Sequence, residues 1–334
     1  RKFFGTLLNT YSFFTMYANI DKFTFREEFI PYEERPETDR WIIAKLNSVT
    51  KEYLAYLDEY DITKAARTVS NFAIDQVSNW YVRRSRRRFW KSEMNKNKLA
   101  AYQTLYEVLA GITQLISAFT PFLAEELYQA LNKVTGKEKE ESVHLTYYKE
   151  PSYFDKALEE KMDTAQSVVY MTRGMRAKLN LKVRQPLKKL LVAVDASRAE
   201  ALKTMEDVIL DELNIKELQI LTDDSGIVKK SAKPNFKAIG PKFGKQVNGV
   251  AGLIKALAVD QVLKLEKGES VSLDFNGAAI TIEPADVEII SSDIEGWSVE
   301  SEAGITVALD TELTEELLAE GLAREFVNRV QNMR

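Results

Sequence analysis

The sequence contains no cysteine and only one histidine, His144. Disulfides, thiolate metal sites and cysteine nucleophiles are therefore excluded, and a single histidine cannot form a His-rich metal site or a multi-histidine relay. No apolar run approaches the roughly 18 residues of a transmembrane helix, and residues 1–10 lack the pattern of a signal peptide. These absences argue against classical catalysis and predict a soluble, cytoplasmic protein without membrane contact.

Glycine and proline are sparse, at 14 and 8 of 334 residues, whereas apolar residues make up 45% and charged residues 29% of the chain. This composition is typical of a globular protein and excludes a disordered or collagen-like chain. At roughly 150 residues per domain, the length predicts about two domains.

Charge is distributed unevenly along the chain, although the net charge is only −4. Residues 78–98 carry eight basic residues against one acidic residue, and residues 173–189 and 226–245 carry seven and six basic residues without an acid. Residues 269–320 carry fourteen acidic residues and no basic one. Concentrated basic segments attract polyanions, so they predict contact with a nucleic acid, and the acidic region should face away from it.

Apolar residues recur at steps of three and four through the first 132 residues, which predicts five helices packed as a bundle. The predicted helices cover residues 2–20, a stretch after Pro36 capped by Thr38 or Asp39, a stretch from Asp61 through the basic segment, residues 99–119, and residues 121–132. A polar connector follows, and we assign residues 1–150 to the helical domain.

The pattern beyond the connector is that of a smaller mixed α/β domain over residues 151–334. We predict helices over 155–179, 196–213 and 245–257, a last helix from Thr311, and strands at 187–194, 215–221, 271–275, 278–282, 287–290 and 305–309. Asn276-Gly277 predicts a tight hairpin, because this pair readily adopts positive φ angles. The last helix looks unfinished at Arg334 and no methionine opens the chain, so we expect part of a longer protein.

The segment with most functional information is residues 79–91, Asn-Trp-Tyr-Val-Arg-Arg-Ser-Arg-Arg-Arg-Phe-Trp-Lys. On a helix, its five arginines cover about 200° of the circumference, so they cannot all share one solvated face. Because an unpaired buried guanidinium is costly, some arginines must pair with carboxylates or face a partner. Cations interleaved with aromatic rings are typical of sites for single-stranded RNA, because the cations contact phosphates and the rings stack on unpaired bases.

Two other interpretations of this segment stay open. The aromatic rings can belong to the bundle core, as we expect above all for Trp80 and Tyr81, while the arginines pair with acids such as Asp58, Glu59 and Asp75. The arginines can also meet the acidic surface of a protein partner, which would make the chain a helical protein-interaction module. An enzyme acting alone is the weakest hypothesis, because the sequence shows no nucleophile–base pair, metal cluster or nucleotide-binding loop.

Residues 79–91, together with Asp39-Arg40-Trp41-Ile42 and residues 1–7, closely resemble the anticodon-binding region of isoleucine–tRNA ligases, which are class I aminoacyl-tRNA synthetases. The resemblance continues through residues 142–145, 176–187 and 233–245, so it covers almost the whole chain. Valine and leucine ligases share the helical bundle. The arginine run and the mixed α/β region favour the isoleucine enzyme.

The resemblance implies that this chain holds the anticodon stem and loop of isoleucine-accepting tRNA. Members of the family activate isoleucine with ATP and Mg²⁺ in a catalytic domain that carries His-Ile-Gly-His-like and Lys-Met-Ser-Lys-Ser-like signatures, and they have a separate editing domain. Neither signature occurs in this chain. Lys161-Met162-Asp163 matches only the first two residues of the second signature and lies within a helical apolar stripe, so we predict that Met162 is a core residue. We expect no catalytic residue, metal or cofactor in this chain, no aminoacylation by it alone, and a monomer.

The predicted tRNA contacts come from the arginine segment and from the second basic segment. For the arginines of the second basic segment, residues 173–189, the sequence favours neither contact with the tRNA backbone nor simple exposure to solvent. The full predicted set is Trp80, Arg83, Arg84, Arg86, Arg87, Arg88, Phe89, Trp90, Lys91, Arg173, Arg176 and Arg184. For residues 240–245 we predict a structural turn rather than a phosphate-binding loop, and RNA contact by Lys237, Lys242 and Lys245 is the alternative.

Overall fold

The computed structural model describes residues 2–91, 93–222, 229–266, 268–275, 277–292 and 296–333. The chain divides into two compact units, Arg1–Met162 and Asp163–Arg334. The first, the helical unit, contains no strand among its described residues, and the second, the mixed unit, combines helices with three small sheets. The predicted fold class, a helical bundle followed by a mixed α/β region, is confirmed.

The helices of the helical unit follow the predicted order. They are α1 (Lys2–Asp21), α2 (Glu37–Asp58), α3 (Ile62–Asn71), α4 (Arg83–Trp90), α5 (Lys96–Ile116) and α6 (Pro121–Thr135), and α7 (Lys156–Lys178) begins in this unit. Side-chain caps start α3 and α5, where Asp61 and Asn95 accept hydrogen bonds from backbone amides. The predicted cap of α2 is wrong, since Pro36 precedes its first turn and Asp39 lies buried within it.

A π-helical segment, Phe72–Val82, joins α3 to α4 without a break. Its wider turns change the angular spacing of the side chains, and they keep Ala73, Val77, Trp80 and Tyr81 buried together. The apolar stripe predicted a continuous helix here but not its π geometry. This segment sets the rotation at which α4, with its arginines, leaves the bundle.

The core of the helical unit is rich in aromatic side chains around α5, which is buried on nearly all sides. Tyr102 stacks against Phe23 at 5.0 Å between ring centroids and meets Phe89 edge to face at 4.9 Å. Trp41 and Tyr53 of α2 are also fully buried. Aromatic burial of this extent fixes the helices that carry the basic segment.

The mixed unit contains eight strands and six further helices among its described residues. The strands are β1 (Leu187–Ala193), β2 (Ile215–Leu221), β3 (Lys229–Pro234), β4 (Val271–Phe275), β5 (Ala278–Ile282), β6 (Val287–Ser292), β7 (Trp297–Glu302) and β8 (Ile305–Asp310). The helices are α8 (Ala196–Lys203), α9 (Glu206–Leu213), α10 (Phe236–Phe243), α11 (Val247–Lys255), α12 (Val259–Glu266) and α13 (Glu315–Asn332).

The largest sheet has the strand order β2-β1-β8-β7. β1 and β2 are parallel, with Leu187 opposite Ile215, and α8 and α9 form the crossover between them. β8 is antiparallel to both β1 and β7. Two antiparallel pairs, β3–β6 and β4–β5, form the other sheets and share a hydrophobic cluster with α10, α11 and α12.

Several predicted elements of the mixed unit need correction. The helix predicted over 196–213 is divided into two helices, α8 and α9. The elements β3, α12 and β7 were not predicted. Helix α13 begins after its N-cap Thr314 rather than at Thr311. The turn predicted over residues 240–245 is shorter than expected, because residues 240–243 belong to α10, which was not predicted, and the chain turns at Gly244, with a φ of +50°. The β4–β5 hairpin is confirmed, with Gly277 at a φ of +80°, whereas Asn276 lies outside the described residues.

Candidate nucleic-acid interface

The arginines of α4 are divided between two faces of the helix. Ser85, Arg88 and Phe89 are spaced by three and four residues and point toward the bundle, where Ser85 and Phe89 are buried. The opposite face carries residues at the same spacing, which we name the arginine face: Arg83, Arg86, Arg87 and Trp90. Arg86 and Arg87 are exposed on it, and Trp90 is 57% exposed. One helix thus combines two exposed guanidinium groups with a large exposed ring.

Arg88 is fixed inside the bundle by a buried carboxylate. Its two terminal nitrogens donate to the two oxygens of Asp39, each at 2.6 Å, and Asp39 is fully buried. Tyr81 donates its hydroxyl to the same carboxylate at 2.7 Å. The Arg88 Nε donates to the side-chain oxygen of Asn97 at 2.6 Å. This network joins α2, the π-helical segment, α4 and α5, so Arg88 fixes the position of α4 in the bundle, and its predicted contact with tRNA stays a prediction.

The proton states of this network follow from burial and from the charge of Asp39. Burial raises the pKa of Tyr81 well above its ordinary value, and the negative charge of Asp39 raises it further. Burial alone would lower the pKa of Arg88, but its hydrogen bonds to Asp39, the negative charge of Asp39 and its interaction with Tyr81 together raise it. At neutral pH the phenol therefore keeps its proton for Asp39, and Arg88 keeps its charge.

Two aromatic residues of the predicted set belong to the core. The indole nitrogen of Trp80 donates to the sulfur of Met162 at 3.2 Å, and both side chains are buried, which confirms the predicted core position of Met162. Phe89 packs against Tyr102. The guanidinium of Arg84 lies 5.8 Å from the centre of the Trp80 ring. The structure therefore removes Trp80 and Phe89 from the set of possible base-stacking rings and leaves Trp90.

The loop after α4 extends the exposed basic surface. Lys91 is exposed, and its carbonyl accepts a hydrogen bond at 2.5 Å from Lys98, whose buried ammonium also pairs with Asp21. Lys98 thus satisfies a carbonyl at the end of α4, where intrahelical partners are missing. Arg86, Arg87, Trp90 and Lys91 are held on a fixed helix end. Among the described residues, no carboxylate lies within ion-pair distance of Arg86 or Arg87.

The predicted residues of the second basic segment have separate structural partners in the mixed unit. Arg173 pairs with Glu212 at 2.6 Å, and the exposed Arg184 donates to the side chain of Asn328 at 3.0 Å. Arg176 is only 1% exposed and donates to the backbone carbonyls of four residues: Lys182, Gln185, Leu213 and Asn214. Burial lowers its pKa to about 10. Arg176 is therefore a structural residue, and its predicted tRNA contact needs the same correction as those of Trp80 and Phe89.

Residues 39–191 match the sequence profile of the family described as the anticodon-binding domain of tRNA ligase. The isoleucine–tRNA ligases of Porphyromonas gingivalis and Bacteroides thetaiotaomicron are 47% and 45% identical to this chain over its whole length. Isoleucine–tRNA ligase 2 of Bacillus anthracis is 40% identical, also over the whole chain. The whole chain therefore corresponds to one segment of isoleucine–tRNA ligases. It spans 29–32% of the length of these relatives.

The sequence did not reveal which carboxylate pairs with Arg88. One interpretation paired the arginines with acids such as Asp58, Glu59 and Asp75, but Arg88 pairs with Asp39, and Asp75 accepts a hydrogen bond from Asn79 at 3.4 Å. Asp39 was itself part of the resemblance to isoleucine–tRNA ligases. An acid in an otherwise apolar helical stripe, next to Trp41 and Ile42, was the available signal for a buried ion pair.

The described residues contain no group of three or more side chains that could together hold a metal ion. None of the described helices combines the length and the apolar character that a membrane span requires.

Proposed function

We propose that this chain binds the anticodon stem and loop of isoleucine-accepting tRNA through its arginine face and Lys91. The observation that carries the proposal is the placement of Arg86, Arg87 and Trp90 on one exposed helical surface. Guanidinium groups pair with phosphates, and an exposed indole offers a stacking surface to an unpaired base. The match to the anticodon-binding domain of tRNA ligases supports the same ligand.

The Arg88–Asp39 pair supports the proposal through preorganisation. Because Asp39 and Asn97 fix α4 at its inner face, the outer arginines need little reordering of the helix when they bind. Charged groups on a rigid element lose less entropy on binding than groups on a mobile loop. Arg83 adds a further cation on the same face, and its Nε donates to the carbonyl of Asn79 at 2.9 Å.

In a longer polypeptide, this segment would hold the anticodon end of the tRNA while another domain attaches isoleucine to the acceptor end. ATP and Mg²⁺ belong to that reaction, and we propose no ATP, Mg²⁺ or metal site in the described residues. Aminoacylation by this chain alone is accordingly not expected. The relatives carry the name of the whole ligase, of which this chain matches about three tenths.

Replacing Arg86 or Arg87 with alanine is expected to weaken the binding of isoleucine-accepting tRNA by about 1–3 kcal/mol, because each change removes a charged phosphate or base contact. Filter binding at a fixed salt concentration measures the effect. Arg324→Ala is the matched control, since Arg324 is an arginine on α13 that pairs with Glu320, and its loss should leave the affinity unchanged.

The same assay separates RNA recognition from the alternative of a protein-interaction module. A tRNA with an altered anticodon should bind more weakly than isoleucine-accepting tRNA, since the proposed contacts include bases of the loop. If the protein binds neither tRNA, or if Arg86→Ala and Arg87→Ala bind as tightly as the unchanged protein, the proposal is wrong.

A further inference from the structure

A cavity of about 380 Å³ lies between α2 and α5 of the helical unit, apart from the arginine face. Two small neighbours on α5, Ala110 and Gly111, open this space, and a Cβ atom on Gly111 would lie 2.9 Å from a methyl carbon of Leu46. Ligand sites in proteins typically enclose roughly 300–1,000 Å³. The cavity lies near the lower end of that range, which suits a single planar ring system.

The cavity is lined by flat aromatic side chains and has a cation beside them. Phe25, Phe29, Tyr32 and Tyr106 contribute rings to its wall. The ammonium of Lys137 lies 3.9 Å from the centre of the Phe25 ring. Phe25 has a backbone φ of +60°, a costly conformation for a bulky side chain that the surrounding structure must maintain. Aromatic walls with a nearby cation are suited to an unstacked base and its phosphate.

A fixed carboxylate gives the cavity its chemical preference. Tyr32 donates to one oxygen of Glu107 at 3.0 Å, and Arg35 donates to the other at 2.9 Å. Burial, followed by the charge of Glu107, raises the pKa of Tyr32 to about 12, so its hydroxyl stays protonated at neutral pH. The Glu107 side chain is still 19% exposed, and each oxygen retains acceptor capacity. It can accept only from N–H or O–H donors.

The cavity wall is linked to the helix end that carries the arginine face. Tyr32 belongs to the short turn Tyr32–Glu34, and Glu34 pairs with Lys96 at 2.5 Å. Lys96 opens α5, where Asn97 is bonded to Arg88 of α4. The turn, the end of α4 and the start of α5 therefore meet at the same end of the helical unit.

We propose that this cavity takes one unstacked base of the bound tRNA, a base whose N–H groups donate to Glu107 and whose phosphate meets Lys137. The inference rests on the proposed function, since it assigns a second contact of the same RNA. It differs from the arginine face in its shape and chemistry: the arginine face offers guanidinium groups and one exposed ring on an open surface, whereas the cavity encloses a base and offers it a hydrogen-bond acceptor. Both oxygens of Glu107 already accept one hydrogen bond, from Tyr32 and Arg35, and their remaining acceptor capacity is what a base N–H would use.

Single abasic positions in the anticodon loop of the tRNA test the proposal. With the unchanged protein, removing one particular base should weaken binding about tenfold, because that base loses its aromatic contacts. Ala110→Phe fills the cavity, so this variant should bind the intact and that abasic tRNA equally well. Ala110→Ser is the matched control and should keep the tenfold difference. Thermal unfolding of each variant verifies that it is folded.

A second variant keeps the test decisive if Ala110→Phe does not fold. Glu107→Gln replaces an acceptor oxygen with a donor amide, so the abasic penalty at that one position should become smaller. The cavity proposal is overturned if every folded cavity variant shows the same abasic penalties as the unchanged protein. If the unchanged protein binds no tRNA, the proposed function itself fails, which is a different result.

Discussion

Asp39→Ala is expected to lower the free energy of unfolding by about 3–5 kcal/mol, the largest effect that we expect from a single substitution in this chain. The change leaves the guanidinium of Arg88 without its carboxylate and removes the acceptor of the buried Tyr81 hydroxyl. An uncompensated charge and an unpaired hydroxyl then remain in a region from which water is largely excluded. Urea unfolding followed by tryptophan fluorescence measures the loss.

Two further variants identify the cause of that loss. Asp61→Ala removes a more exposed acid that caps α3, and it should cost only about 1 kcal/mol. The double variant Asp39→Ala with Arg88→Met removes both charges and should recover part of the stability, because no buried charge is then left alone. If Asp39→Ala destabilises no more than Asp61→Ala does, the buried ion pair does not have the role assigned to it.

Arg176→Met is expected to destabilise the mixed unit by about 3 kcal/mol, since four buried or partly buried carbonyls lose a charged donor at once. Arg176 is almost fully buried and donates to four backbone carbonyls, which join the segment after α7 to the end of α9. Methionine fills a similar volume but has no donor, so these carbonyls lose their partner. Because no carboxylate balances this arginine in the described contacts, the loss arises from unsatisfied carbonyls rather than from a broken ion pair.

Chemical denaturation followed by circular dichroism measures this effect, with Arg198→Met as the control. Arg198 is a partly exposed arginine of the same unit that pairs with Asp195, and its loss should change stability by less than about 1 kcal/mol. Equal stability of the Arg176 and Arg198 variants would show that the carbonyl contacts of Arg176 contribute little.

The helical half of the fold could be predicted from apolar periodicity alone, because its helices are long and each buries a continuous stripe. The π-helical segment could not be predicted, since its turns differ from α-helical turns only in hydrogen bonding and not in residue type. That segment decides which arginines face outward. The sequence therefore indicated that the five arginines cannot share one face of the helix, but it could not show that Arg88 points into the bundle and Arg86 toward solvent.

Two elements of the mixed unit that were not predicted, α10 and β3, have local sequences that favour a different secondary structure. α10 contains Pro241 in its interior, and Gly240 precedes it, so breaker residues predicted a turn. β3 is largely composed of lysines and polar residues, and its strand conformation depends on pairing with β6, which is distant in sequence. Tertiary packing overrode local preference in both cases.

The salt dependence of tRNA binding by the double variant Arg86→Ala/Arg87→Ala tests the central claim most directly. Each phosphate contact contributes about 0.9 to the slope of log affinity against log salt concentration, or about 0.7 on single strands. If both arginines contact phosphates, the slope of the double variant should be shallower by about 1.4–1.8. Identical slopes and affinities for the double variant and the unchanged protein would contradict the assignment of the arginine face to tRNA.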